Sequence, residues 1–178
     1  MNKIYSKPIL MLLLVCSSIS FAQDKSELKA QALKDAKATS HATLKFDFET
    51  VLKHTYPGVV TLMGGKEKAM DLLESTFNSM AQDGFVFEKA EIVGVSDIVY
   101  EQDEYRCYIE SYNQMIMNNL RIKSKGYLLG IYDTNLKYWY FIEAKQLKNN
   151  ALMDQVFPSF KTSLVIPDNE MTQEKIEN

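Results

Sequence analysis

The sequence predicts an α+β fold in which N-terminal helices pack on an antiparallel sheet. Three observations carry that reading. Residues 47–83 repeat their apolar side chains at helical spacing. From Phe85 onward the spacing changes to two, the period of a strand whose side chains alternate between faces. Residues 126–144, GYLLGIYDTNLKYWYFIEA, form two aromatic, apolar runs broken by Asp133-Thr134-Asn135, which marks a β-hairpin.

Residues 1–22 read as a signal peptide. Lys3 and Lys7 give a basic start, and residues 9–15 (ILMLLLV) are too short to span a bilayer, which takes about 20 residues. Ser20-Phe21-Ala22 is a small-x-small cleavage site before Gln23. The alternatives are an uncleaved anchor and a lipidated Cys16, though Val15 is a poor residue to precede a lipidated cysteine. The leader carries two of the 20 basic residues and no acid, so 18 basic residues face 23 acidic ones after cleavage, a net charge of −5. That balance does not favour nucleic acid, which asks for a basic face. Cleavage also leaves Cys107 as the sole cysteine, so no intramolecular disulfide can form. Cys107 lies in a strand-like run and reads as a buried, inert thiol.

The elements follow in order. Residues 24–45, rich in Ala, Lys, Glu and Leu, predict an N-terminal helix over 23–45 that reaches partly outside the compact domain. Asp47 reads as the N-cap of a short helix through Phe48, Val51 and Leu52, ended by Pro57-Gly58. Residues 59–63 fit either a strand or a helical turn, and Gly64-Gly65 breaks them. Residues 66–83 are the clearest helix, with Ala69, Leu72, Leu73, Thr76, Phe77 and Met80 on one face and Gly84 as its C-terminal stop. Strands are expected at 85–95 with an irregularity near Lys89-Ala90, then at 105–117, 121–132 and 136–144, with Ile98 to Tyr100 continuing the first after a bend. Residues 101–104 and Asn118-Asn119 are the turns, giving a four-stranded antiparallel meander. Residues 150–157 read as a last helix ended by Pro158. A single domain is expected over 46–168, with a polar, disordered tail at 169–178.

Residues 47–73 carry Asp-Phe-Glu-Thr-Val-Leu, then Tyr-Pro, then an apolar run, then Gly64-Gly65-Lys66-Glu67, and Trp139 stands in the last strand after a polar turn. In this order the motifs resemble the nuclear-transport-factor-two-like superfamily, with its SnoaL-like proteins. The resemblance covers about residues 45–144 and points to a secreted bacterial branch with no assigned activity. It implies a cystatin-like roll: a curved sheet wrapped around helices, with a cone-shaped cavity between them. Only residues 59–63 stand where many members have a full hairpin, which implies a smaller or more open cavity. The superfamily hosts isomerases, cyclases, dehydratases and binding modules, so the fold does not decide the function.

Candidate groups are few. Enzymes of that superfamily often place an Asp or His in the cone as general base. His54 precedes Tyr56-Pro57, where the chain would turn toward the cavity, and a capping or packing histidine is the competing reading. His41 lies in a polar helical stretch and reads as a surface residue. Glu143 is the one acid deep in an apolar strand of the hairpin; facing the cavity it would be a base, and at the sheet edge a solvated charge. Tyr56, Tyr108, Tyr112, Tyr127 and Tyr140 are candidate ligand-binding hydroxyls, with core or interface packing as the alternative. Residues 101–104 hold three acids but lack the glycine and distal Glu of a calcium loop, and no metal site or cofactor is expected. In the last strand Tyr138, Tyr140 and Ile142 share one face and Trp139, Phe141 and Glu143 the other. Two apolar faces call for two covers: the helices on one, and a ligand, a partner subunit or the tail on the other. The expected function is a secreted, periplasmic, non-catalytic module in a Gram-negative bacterium. Such a module would bind a small apolar ligand or a protein, and would form a homodimer through the open sheet face. The alternative is an isomerase- or dehydratase-like enzyme with His54 or Glu143 as base. Neither nucleic acid nor a lasting membrane span is expected.

Overall fold

The computed structural model of the chain describes residues 6–176, with the backbone alone described for residues 6–24, 150 and 152. Lys3, part of the expected signal, lies outside the described residues. The fold is α+β, with five α-helices and an open antiparallel sheet of six strands among the described residues.

Helix α1 runs Ser6–Leu44. Its inward stripe is small: Ala32 and Ala36 are fully buried against Cys107, Ile109, Trp139 and Phe141 of the sheet. Small residues let the helix approach closely enough for Ser40 Oγ to donate to the Ala90 carbonyl at 2.7 Å. Between the two alanines, the buried Asp35 carboxylate accepts the Trp139 N–H at 2.9 Å and Gln31 Nε2 at 2.8 Å. From Leu28 on the helix therefore belongs to the core, not to a projecting arm. Among the described residues no helix is long and apolar enough to cross a membrane.

Asp47 caps helix α2, Phe48–Lys53, accepting from Thr50 N at 3.1 Å and Thr50 Oγ1 at 2.7 Å. Pro57 does more than end α2. It sits in the first turn of helix α3, Pro57–Leu62, where its missing N–H costs nothing, so residues 59–62 are helical rather than a strand and Met63 is the C-cap. Gly64 and Gly65, both at φ +93°, then turn the chain into helix α4, Lys66–Gln82. Gly84 at φ +80° ends α4, and Phe85 N donates to the Met80 carbonyl at 2.9 Å.

The strands are β1 Val86–Val95, β2 Val99–Glu101, β3 Glu104–Met117, β4 Leu120–Asp133, β5 Tyr138–Glu143 and β6 Glu170–Lys175. The β2–β3 and β3–β4 turns place Gln102-Asp103 and Asn118-Asn119 at positive φ, the geometry that matches the twist of the paired strands. β1 pairs with β3 through irregularities at Phe87/Lys89 and Ile92/Gly94. β5 and β6 share the far edge of β4 end to end, at residues 128–133 and 120–125. The outer edge of β5 is covered too: Phe141 N donates to the His54 carbonyl at 2.7 Å, and Tyr56 N to the Phe141 carbonyl at 3.0 Å.

The sheet therefore has six strands rather than four, and the stretch expected to be a disordered tail forms β6. β6 is exposed along its length, so it offers no apolar pattern to read. Backbone pairing holds it, helped by Glu174 against Lys123 at 3.0 Å and Arg121 at 3.6 Å. Residues 177–178 lie outside the described residues.

The hairpin's second apolar face finds its cover within the chain. Leu129, Ile131 and Ile142 pack under Met153, Val156 and Phe157, with Phe160, Leu164 and Ile166 following. Met153 and Val156 stand on helix α5, Asn150–Val156. This C-terminal strap covers that part of the face. Farther along, the same outer face is charged: Glu88 pairs with Arg121 at 2.8 Å and Glu110 with Lys125 at 2.9 Å.

Candidate functional site

Between the helices and the inner face of the sheet lies a cavity of about 970 Å3. Register and alternation decide what lines it. The inner face takes Phe87, Ala90 and Ile92 from β1, Ser111, Asn113 and Met115 from β3, Ser124, Gly126 and Leu128 from β4, and Phe141 from β5. The roof comes from Ala36, Thr39, Ser40 and Thr43 of α1, Val51, His54 and Thr55, Val59, Leu62 and Met63, and Phe77 of α4. Residues 111–115 alone give the floor a length of about 13 Å, at ~3.3 Å per residue. One margin of the cavity, here called the mouth, lies where β5 has ended and β6 has not begun. There Gly126 and Tyr127 leave the β4 edge unpaired, and Asn169 Oδ1 accepts the Tyr127 N–H at 3.3 Å.

Most hydroxyls in the wall are satisfied locally. Thr39 donates to the Asp35 carbonyl, Thr43 to Thr39, Thr55 to Val51, and Ser111 to Gly126. Asn113 and Ser124 differ: they face each other across β3 and β4, both line the cavity, and neither has a hydrogen-bond partner among the described residues. Lys125, Glu143 and Lys145 are the charged residues bordering the space, and each is ion-paired.

His54 is buried and lines the cavity. Its Nδ1 lies 2.8 Å from the Trp139 carbonyl oxygen. A carbonyl only accepts, so Nδ1 carries the hydrogen. Nε2 has no partner among the described residues. Tyr138 packs edge-on at 5.4 Å and Phe141 at 6.2 Å. The histidine ties α2 to β5 and borders the cavity.

Glu143 is at the mouth, exposed and paired with Lys145 at 2.6 Å. It is a solvated ion pair at the sheet edge, not a buried acid. His41 is exposed on α1. The tyrosines mostly turn away from the cavity. Tyr56 stacks on Phe157 at 4.2 Å and meets Tyr140 at 6.3 Å within the C-terminal cluster. Burial holds both hydroxyls above the usual tyrosine range, and for Tyr140 the Tyr138 hydroxyl adds to the effect. Tyr108 and Tyr112 alternate onto the outer face, opposite to Ser111 and Asn113. Tyr127 borders the mouth, but its ring lies edge-on to Tyr108 at 5.8 Å and beside Lys125.

The acidic turn serves the fold. Arg106, 3% exposed, takes Glu104 Oε2 at 2.6 and 3.0 Å, Gln102 Oε1 at 3.2 Å and the Lys161 carbonyl at 2.8 Å. Glu101 accepts from Thr162 and Ser163. The acids thus clamp the C-terminal strap, and no cluster of potential metal ligands occurs among the described residues. Cys107 is fully buried, and burial pushes its thiol up to about 12.

Sequence reasoning missed Asn113, Ser124 and Asp35. The signal for the first two was present. Alternation from Cys107 and Ile109 puts Ser111 and Asn113 on the core face, and register counted from Asn118-Asn119 sets Ser124 opposite Asn113. Polar residues in facing register on a core face mark a place where packing gives way to something else. Comparison with protein-family models, with curated proteins and with solved structures finds no match for this chain.

Proposed function

We propose that the chain is an exported binding module that holds a small, largely apolar molecule between its helices and the inner face of its sheet. The observation that carries this reading is the cavity itself. At about 970 Å3, walled by Phe, Ile, Leu and Met with Ser, Thr and Asn side chains between them, it falls at the upper end of the roughly 300–1,000 Å3 typical of ligand sites. Its position, with helices on one face of the sheet and space between, also supports membership of the nuclear-transport-factor-two-like superfamily. Export through residues 1–22 belongs to the same proposal, and N-terminal sequencing of the exported protein is expected to start at Gln23.

The test is titration with Nile red, an uncharged dye that brightens in apolar surroundings. One dye per chain is expected. Met115→Trp, which adds bulk inside the lumen, is expected to weaken binding at least tenfold while the thermal midpoint holds. No saturable binding by a folded chain would refute the module.

One observation favours a second, catalytic reading: the Trp139 carbonyl fixes the His54 tautomer and leaves Nε2 free to take a proton. Deuterium uptake from D2O into a cyclic ketone, lost in His54→Gln, would support it. The binding reading is preferred because the tyrosines that would polarise such a carbonyl pack elsewhere.

A further inference from the structure

We infer that the molecule in the cavity is an uncharged amphiphile whose single polar group is hydrogen-bonded by Asn113 and Ser124. The inference rests on the binding reading and adds to it the chemical class of the ligand and its anchor. Directly opposed residues on one face of an antiparallel pair have Cβ atoms about 5 Å apart, so the amide and the hydroxyl can address one group together. Between them they supply donors and acceptors, and neither is satisfied by the protein among the described residues. Both side chains are half-buried, so water meets them in the empty cavity, and a ligand that displaces that water must replace its hydrogen bonds. A hydroxyl, a carboxamide or a protonated carboxyl meets both. An ion does not, because Lys125, Glu143 and Lys145 at the margin are committed to Glu110 and to each other, and a buried ion needs an opposite charge. The rest of the ligand is apolar and elongated, since the floor continues from this pair as Met115 in one direction and Gly126 and Leu128 in the other.

The test is displacement of Nile red from the full chain by three ligands of equal length: 1-decanol, decanoate and decyltrimethylammonium. Decanol is expected to bind at least tenfold more tightly than either ion. In Asn113→Leu/Ser124→Ala, decanol is expected to weaken about tenfold, the loss due to two neutral hydrogen bonds, while Nile red still binds. The single variant Ser124→Ala, a small change in a half-buried strand position, is expected to show a smaller loss in the same direction. Equal binding of alcohol and ions, or an unchanged decanol affinity in both variants, would overturn the inference while leaving the binding reading intact. If neither dye nor decanol binds a chain that melts cooperatively, both fail.

Discussion

Replacing Arg106 by Met should release the C-terminal strap at a cost of about 3 kcal/mol. The guanidinium is 3% exposed and joins Glu104 and Gln102, at the β2–β3 turn, to the Lys161 carbonyl of the strap, with the Phe160 ring 4.8 Å from its Cζ. Met keeps an apolar stem against that ring and removes every hydrogen bond. Losing one partner of a buried ion pair costs about 3–5 kcal/mol. Glu104 keeps a third of its side chain in water and rehydrates, which sets the expectation at the low end. With a urea slope of about 2 kcal/mol per molar for a domain of this size, the midpoint should fall by about 1.5 M. Trp139, the single tryptophan and fully buried, reports the transition. Hydrogen exchange should quicken over residues 157–166 before it does in β3 and β4. A midpoint shift below 0.5 M (roughly a third of that expected), with exchange over 157–166 unchanged, would show that the strap is held by its apolar contacts alone.

Three further outcomes follow from the same geometry. Cys107 should resist a thiol reagent at pH 8 in the native chain and react fully in denaturant, because burial keeps its thiol protonated up to about 12; rapid native labelling would contradict its burial. Glu88, held by Arg121 and then Gln114, is lowered from 4.5 to about 2. A depressed folded value means that its stabilisation is present above about pH 4.5 and is lost as pH falls through about 2, so Glu88→Gln should flatten the acid limb of the stability profile in that window. Asn113→Leu should leave the empty chain as stable as the parent or up to ~1 kcal/mol more so, because it removes an unpartnered polar group; a loss above 1 kcal/mol on urea denaturation would mean that the amide serves the fold.

What the sequence shows plainly is whatever is fixed locally. The Asp47 cap, the helix ending at Gly84 and the Asn118-Asn119 turn depend on neighbours in the chain and can be read there. The strand runs are legible because alternation persists over ten or more residues in β1, β3 and β4. β6 escapes because all of its support is non-local: an edge of β4 left open beyond β5, and basic partners some 50 residues away. The tyrosines mislead for a related reason. Alternation shows that Tyr108 and Tyr112 share a face, but which face meets the helices is set by Ala32 and Ala36 on α1. Once Cys107 and Ile109 are taken as core, the facing pair Asn113 and Ser124 follows, so that part of the site was available to parity and turn register together. Asp35 was not, since nothing local says that a helical acid will meet the backbone of a strand 104 residues on.

The claim that the cavity holds a small apolar molecule is tested most directly by methyl NMR of the methionines. Met63, Met115 and Met171 line the cavity, whereas Met153 is packed in the C-terminal cluster on the other face. On saturation with 1-decanol, the ε-methyl signals of Met63 and Met115 should shift and that of Met153 should stay. A Met153 shift with Met63 and Met115 unmoved, or no shift at any of them at saturating ligand, would contradict the account.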